Sequence, residues 1–94
     1  MKIKLDWLDE NQRKAILAVL RERNKQDEKW GEQNHDSGKW LAILIEEIGE
    51  LAQEMLEENP LNATAELTQV VAVALAWLEC RNRLAFPQST TKKP

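Results

Sequence analysis

The sequence predicts an all-α protein built from three helices, and three observations point to this fold class. Glycine and proline are scarce, with three of each in 94 residues, which leaves little room for the turns that join short strands. Apolar residues recur with the 3.6-residue period of an amphipathic helix. Turn-forming clusters at residues 31–38 and 59–60 divide the chain into three helical stretches. A chain of this length makes one domain, which we place at residues 1–87, followed by a polar, basic tail at 88–94 that we expect to be disordered.

The first two helices are separated by a loop rich in hydrogen-bonding groups. The first helix is predicted from about residue 6 to about 28, and the loop follows over residues 29–38, where two glycines and Asn, Asp and Ser residues cluster. The second helix is predicted over about residues 37–58 and is ended by Asn59-Pro60. The expected N-caps are Asp6 for the first helix and Asp36 or Ser37 for the second.

The third helix is predicted from Asn62 or Thr64 to about Leu84, and its middle is apolar on every side. Residues 70–78 are nine consecutive apolar residues. A helix of this kind must be covered all round, and a chain with only three helices offers too little surface to cover it. The sequence therefore predicts a helical bundle completed by homo-oligomerisation, as a homodimer or a homotetramer.

Composition limits the classes of function. The net charge is −3, which argues against sequence-independent binding to nucleic acid because such binding needs a basic surface. Cys80 is the single cysteine, so no intramolecular disulfide can form and a reducing cytoplasm is the expected compartment. The N-terminus lacks the apolar run of a signal peptide, and no window reaches the roughly 18 apolar residues of a membrane span. We expect no nucleic-acid or membrane partner.

Acidic residues form one stripe along the second helix, about 100° wide at about 100° per residue. The stripe holds Glu46, Glu47, Glu50 and Glu54. Glu47 and Glu50 present their carboxylates side by side at the border of the apolar face, where like charges repel. In the third helix, Glu66 and Gln69 share a face with apolar residues and therefore point toward the interior. A divalent cation would turn the repulsion into attraction, since hard cations bind oxygen ligands.

The alternative interpretation is a solvated acidic face. The run continues with acidic residues that look solvated, namely Glu54, Glu57 and Glu58. Gly49, in the middle of the second helix, costs about 1 kcal/mol relative to alanine. It indicates either the close approach of a neighbouring helix or ligand, or tight packing against another backbone.

Two motifs resemble those of a known family. Glu46-Glu47-Ile48-Gly49-Glu50, followed in the next helix by Glu66-Leu67-Thr68-Gln69, is similar to the EExxE…ExxD signature of the MazG-like all-α nucleotide pyrophosphohydrolases. This superfamily includes dimeric dUTPases and phosphoribosyl-ATP pyrophosphohydrolases. The segment Trp30-Gly31-Glu32-Gln33-Asn34-His35 resembles the family's upstream W-x-x-Q-x-H run. Together the motifs cover about residues 26–80.

The resemblance implies a Mg²⁺-dependent active site completed by oligomerisation, with Mn²⁺ as a possible substitute. The implied metal ligands are Glu47, Glu50, Glu66 and Gln69. Glu46 would hold a second metal or orient the attacking water. The chain departs from the pattern at Gln69, where the family has aspartate. A glutamine carbonyl is a weaker ligand, so the site either binds metal less tightly, with Glu46 or Glu54 compensating, or has lost catalysis.

The implied reaction cleaves the α–β phosphoanhydride of a nucleoside triphosphate, giving a nucleoside monophosphate and pyrophosphate. Such chemistry needs positioning and charge neutralisation rather than a protein nucleophile. Basic residues that could meet the phosphates are Lys29, Lys39 and Arg81, each of which could also be a solvated or helix-terminal cation. Trp30 could stack on a base, with Gln33 and Asn34 contacting the base edge. More often, a loop tryptophan fills a gap in the core. Trp40 and Trp77 are assigned to packing.

Two alternatives remain at this point. One keeps the fold and changes the substrate to dUTP or phosphoribosyl-ATP. The other is a catalytically impaired, metal-free helical interaction module that uses the acidic stripe for docking or solubility.

Overall fold

The structure is a computed structural model that describes residues 4–85, and no strand occurs among them. A short 3₁₀ turn, Leu5–Trp7, precedes three α-helices: α1 spans Glu10–Trp30, α2 spans Ser37–Leu56 and α3 spans Pro60–Ala85. The predicted fold class and the three helices are confirmed for this part of the chain. The predicted domain limit at residue 87 and the tail at 88–94 lie outside the described residues.

The first helix begins later than predicted, because its N-cap is Asp9 and not Asp6. The Asp9 carboxylate accepts a hydrogen bond from the Gln12 amide at 2.8 Å, and the Gln12 side chain accepts one from the Asp9 amide at 2.9 Å. This is a reciprocal capping box, which requires a Glu or Gln three residues after the cap. Three residues after Asp6 the chain has Asp9, which is neither Glu nor Gln, so Asp6 cannot form a capping box. Asp6 lies in the 3₁₀ turn.

The second and third helices are joined by a tight connection. α2 starts where the sequence predicts, since the Asp36 carboxylate accepts a hydrogen bond from the Lys39 amide at 2.8 Å. α2 ends at Leu56, slightly before the predicted end. α3 begins at Pro60, earlier than predicted, because proline suits the first helical position and Asn59 caps the helix in front of it.

α3 is the central helix of the fold, since it packs against both α1 and α2. Among the described residues, α1 and α2 do not pack directly against each other. The core lies between α2 and α3 and consists of Trp40, Val73, Ala76 and Cys80, with Ile43, Leu44 and Trp77 packed against it. The assignment of Trp40 and Trp77 to packing is confirmed. This arrangement leaves a groove between α1 and α2, with α3 at its base.

The apolar side chains of α3 are only partly covered by the other described residues. Leu67, Val71 and Leu78 are 52%, 43% and 59% exposed. α3 is also long and apolar enough to cross a membrane by length and composition alone, with a mean hydropathy of 1.3 over its most apolar window. The central helix of a globular protein meets the same two criteria.

Candidate metal centre

Three glutamates from two helices meet at one point of the groove. Glu47 and Glu50 come from α2, where a spacing of three residues puts them on neighbouring turns of one face. Glu66 comes from the start of α3. One carboxylate oxygen from each of the three lies within 4.8 Å of the other two. The structure therefore brings together the acidic members of the predicted ligand set.

Burial sets this cluster apart from an ordinary acidic surface. Glu47 and Glu66 are half-buried, while Glu50 is exposed to the groove. One oxygen of Glu47 and one of Glu66 are shielded from solvent and have no hydrogen-bond partner. An unpaired, buried carboxylate oxygen is costly because it has lost water and gained nothing in exchange. Such an atom needs a partner, which can be a water molecule, a hydrogen-bond donor or a cation.

The electrostatics of the cluster agree with its geometry. Burial raises the pKa of Glu47, and the negative charges of Glu50, Glu66, Glu46 and Glu22 raise it further, in that order. The protein alone therefore makes ionisation of this carboxyl less favourable than in water.

Burial also raises the pKa of Glu66, again as the largest cause. The charges of Glu50 and Glu54, a hydrogen bond with Glu50 and the charge of Glu22 add to the shift in the pKa of Glu66. Every one of these influences acts against the ionised form. None of the named causes is a nearby cation from the described residues.

The donor set fits Mg²⁺. The ion takes oxygen ligands at about 2.0–2.1 Å, so neighbouring ligand oxygens stand roughly 3–4 Å apart. Three carboxylate oxygens within 4.8 Å of one another need only small side-chain movements to reach that spacing. One or two carboxylates plus waters and substrate phosphates are the usual environment of this ion in phosphate-handling sites.

The remaining predicted members of the metal site lie beside the three glutamates. Glu46 is exposed and contributes repulsion to Glu47. Gln69 is half-buried and lies one turn after Glu66 on α3. Its side chain is neutral, so it adds nothing to the repulsion and would supply only a carbonyl oxygen.

Two further carboxylates lie near the three glutamates: Glu54, which the sequence offered both as a compensating ligand and as a solvated residue, and Glu22, which it did not offer. Glu54 was interpreted as solvated, but it is half-buried and one of its oxygens is shielded and unpartnered. The interpretation of Glu54 as a solvated residue was therefore wrong. Its position on the same stripe as Glu47 and Glu50 could have indicated that it lies near them. Glu22 belongs to α1 and acts on both Glu47 and Glu66. No local pattern could reveal Glu22, because its position depends on how α1 packs on α3.

The predicted substrate-binding residues are spread over the opposite end of the α2–α3 pair. Lys39 lies on α2 seven residues before Glu46, which places it on the same face and about 10 Å along the helix. Arg81 follows Glu66 by fifteen residues, or about 22 Å along α3. Arg81 donates a hydrogen bond to the Ser37 hydroxyl at 3.4 Å. On α1, Lys29 follows Glu22 by seven residues and so also shares a helix face with a carboxylate.

The loop residues of the predicted set are held by Arg83. Its guanidinium donates to the Gln33 carbonyl at 3.0 Å and to the Asn34 side chain at 3.1 Å. Trp30 ends α1 and is 60% exposed, so its expected role as a core plug is wrong. Lys29 stacks on the Trp30 ring, with its ammonium 4.8 Å from the ring centre. These contacts order the loop but do not bring it to the carboxylates.

Comparison of the chain with protein-family models, with curated proteins and with solved structures finds no match. The resemblance to the MazG-like pyrophosphohydrolases therefore rests on the two sequence motifs alone.

Proposed function

We propose that this protein is a Mg²⁺-dependent nucleoside triphosphate pyrophosphohydrolase, which acts as a homo-oligomer. The observation that carries the proposal is the convergence of Glu47, Glu50 and Glu66, whose oxygens lie within 4.8 Å of one another. Two of these residues have shielded oxygens without a partner. A solvated acidic face does not require such atoms, whereas a cation site does. The motif resemblance supplies the substrate class.

In the proposed site, Glu47, Glu50 and Glu66 hold Mg²⁺, and Gln69 offers a weaker fourth oxygen. The ion, when bound, neutralises phosphate charge and makes the attacking water more acidic. Glu46 accepts a hydrogen bond from that water and orients it. The reaction consumes one water, breaks the bond between the α-phosphorus and the bridging oxygen, and releases a nucleoside monophosphate and pyrophosphate.

Lys39 is one cation of the described residues that is placed to meet the phosphates. It lies on the same face of α2 as Glu46, about 10 Å away along the helix axis, and is exposed. A triphosphate held by metal at the carboxylates could extend along α2 toward its ammonium. The homo-oligomer is part of the proposal because Leu67, Val71 and Leu78 leave the central helix partly uncovered.

Pyrophosphate release tests the proposal directly. A panel of canonical, deoxy- and modified nucleoside triphosphates is incubated with the protein and Mg²⁺ or Mn²⁺. We expect turnover that requires metal and that falls by about 100-fold or more in Glu50→Ala, because a ligand of the metal is removed. The matched control is Glu57→Ala, which removes an exposed glutamate beyond the end of the same helix.

Equal turnover in the Glu50→Ala and wild-type proteins would rule out the proposed site. Circular dichroism of both variants establishes that they are folded. The interaction-module alternative predicts no turnover and no metal-specific rise in the melting temperature, because general screening by salt acts on all divalent cations alike.

A further inference from the structure

Each of the two helices that border the groove carries a lysine at the same distance from a carboxylate. Lys29 follows Glu22 on α1 by seven residues, and Lys39 precedes Glu46 on α2 by seven residues. Both glutamates act on Glu47 of the cluster. Seven residues are almost two full turns, so each lysine shares a helix face with its glutamate and lies about 10 Å further along the helix. Both lysines are exposed.

The two lysines lie at the same end of the groove, because a short loop joins α1 to α2. Lys29 is next to the last residue of α1, and Lys39 is the third residue of α2. The loop between them is fixed near the C-terminal end of α3, where Arg83 donates to the Gln33 carbonyl at 3.0 Å. Glu66 lies near the opposite end of α3. Both lysines are therefore on the loop side of the carboxylates.

The other end of the groove has no such cations at the matching positions. Seven residues before Glu22 the chain has Ala15, and seven residues after Glu46 it has Gln53. Both side chains are neutral. Lys25, three residues after Glu22, adds a further exposed cation on the loop side. This difference between its two ends gives the groove a direction.

The acidic groups near the two lysines are engaged elsewhere or turned away. Glu32 forms an ion pair with Arg83 at 3.5 Å, and the Asp36 carboxylate caps α2 by accepting a hydrogen bond from the Lys39 amide at 2.8 Å. Glu28 is turned about 100° around α1 from the lysine that follows it. No ion pair among the described residues involves either lysine, so both ammonium groups are available to an anion.

Trp30 supports the lysine of α1. The ammonium of Lys29 lies 4.8 Å from the centre of the Trp30 ring, which is a cation–π contact. Such a contact holds the ammonium in place without removing its charge. It gives the exposed tryptophan a role that requires no contact with a base.

We propose that Lys29 and Lys39 bind the two outer phosphates of the substrate, so that the triphosphate lies along the groove with its terminal phosphate toward the α1–α2 loop. The nucleoside then points toward Ala15 and Gln53, and Trp30 is a positioning residue for Lys29 and does not stack on the base. Lysine binds phosphate as a point charge. The inference rests on the proposed function and deepens it, because it gives the substrate a direction and places the leaving pyrophosphate at the loop end.

Two probes separate this phosphate subsite from the metal centre. In excess Mg²⁺, isothermal titration calorimetry measures binding of inorganic tripolyphosphate and of AMP, which has a single phosphate. Lys29→Gln and Lys39→Gln should each weaken tripolyphosphate binding by about 5–10-fold, because each removes a charged donor, and should leave AMP binding unchanged. The matched control is Arg21→Gln, which removes an exposed cation of α1 about 100° around the helix from Glu22 and should change neither affinity.

Trp30→Ala tests the direction of the nucleoside. Tripolyphosphate has no base, so a variant that loses only the support of Lys29 should bind tripolyphosphate and the non-hydrolysable α,β-methylene-ATP more weakly by the same factor, about 3-fold. A loss confined to the nucleotide would place the base on Trp30 and overturn the proposed direction.

Unchanged tripolyphosphate binding in a variant that carries both Lys29→Gln and Lys39→Gln would overturn the subsite. A wild-type protein that binds tripolyphosphate no more tightly than AMP would overturn it as well. Hydrolysis of triphosphates by the double variant with the wild-type KM would overturn the subsite and leave the proposed reaction standing. Tripolyphosphate binding that depends on both lysines, in a wild-type protein without turnover, would support the subsite and contradict the proposed reaction.

Discussion

Arg23 is the buried charged side chain of the described part of the molecule, at 7% exposure. Its guanidinium donates to both Glu79 oxygens, at 2.7 and 3.0 Å, and to Asp27 at 3.0 Å. The hydrogen bond to Glu79 is the largest cause that raises the pKa of Arg23, so the guanidinium stays charged. This two-pronged contact fixes α1 on α3.

Arg23→Ala should therefore destabilise the fold strongly. We expect a loss of about 3 kcal/mol, because the variant leaves Glu79 and Asp27 without their shared cation in a partly buried setting. Urea unfolding measures the change. The control is Lys14→Ala, which breaks the exposed Lys14–Glu10 pair and should cost at most about 0.5 kcal/mol. Similar losses in the two variants would contradict the anchoring role of Arg23.

At the level of residues, part of the candidate site could be predicted from the sequence. The spacing of Glu47 and Glu50 placed them side by side, and the apolar neighbours of Glu66 pointed it inward, so local periodicity was sufficient for these three. Glu22 could not be found in this way, since its contribution depends on the angle at which α1 crosses α3. The loop residues Gln33 and Asn34 were placed in the site by motif resemblance, but contacts with Arg83 hold them elsewhere.

The connection between α2 and α3 contains a residue, Glu58, in an unfavourable backbone conformation. Glu58 has a φ of 54°, in the left-handed region that residues other than glycine and asparagine rarely adopt. The Glu58 amide donates to the Met55 carbonyl, and the Asn59 amide donates to the Glu54 carbonyl. These two bonds define the Schellman arrangement, in which the left-handed position is most often glycine.

Glu58→Gly should accordingly stabilise the protein, by about 0.5–1 kcal/mol. Relief of the left-handed conformation outweighs the extra entropy that glycine gives to the unfolded chain. Differential scanning calorimetry at fixed protein concentration measures the gain. Glu57→Gly is the matched control, because Glu57 has a φ of −82° and glycine there only adds unfolded-state entropy. The prediction is that the two neighbouring substitutions act in opposite directions, and a loss of stability in Glu58→Gly would contradict it.

Helix identity was more predictable than helix ends. The 3.6-residue period and the stop signal at Asn59-Pro60 were enough to give three helices. The start of α1 was misplaced because Asp6 and Asp9 are both good caps on their own, and only the reciprocal bond with Gln12 selects Asp9. The sequence analysis used Pro60 only as a signal for the end of α2 and did not predict that Pro60 is the first residue of α3.

In the whole molecule, the two sides of the α2–α3 pair differ in chemistry. One side carries exposed apolar side chains such as Ile45 and Leu78, with Arg81 at its end, and the other gathers carboxylates near α1. The sequence showed the acidic residues of α2 as one stripe, but their meeting with Glu66 depends on how α2 and α3 pack. A chain of this size buries few large side chains, so both a second copy and a bound cation would add substantially to its stability.

The carboxylate cluster should also make global stability depend on pH in an unusual direction. Glu47 and Glu66 have raised pKa values in the folded chain, so the folded state holds protons that the unfolded state releases near pH 4.3. Stability from these groups is therefore fully present below that pH and is lost as pH rises through the folded pKa values. In EDTA, we expect the melting temperature to fall as pH rises above the pKa of the unfolded chain. A change of 1 kcal/mol corresponds to about 4–8 °C in a chain of this size.

Mg²⁺ should reverse this slope, because the ion binds the deprotonated carboxylates and binds more tightly as they ionise. At neutral pH, saturating Mg²⁺ should raise the melting temperature. Glu66→Gln should reduce the fall in EDTA, because the burial and charge that raise the pKa of Glu47 largely remain, and it should remove most of the gain with metal. Glu57→Gln, a substitution at an exposed glutamate, should change neither. An undiminished fall in a variant that carries both Glu47→Gln and Glu66→Gln would place its origin outside the cluster. A wild-type melting temperature indifferent to Mg²⁺ at neutral pH would mean that Glu47, Glu50 and Glu66 do not share an ion.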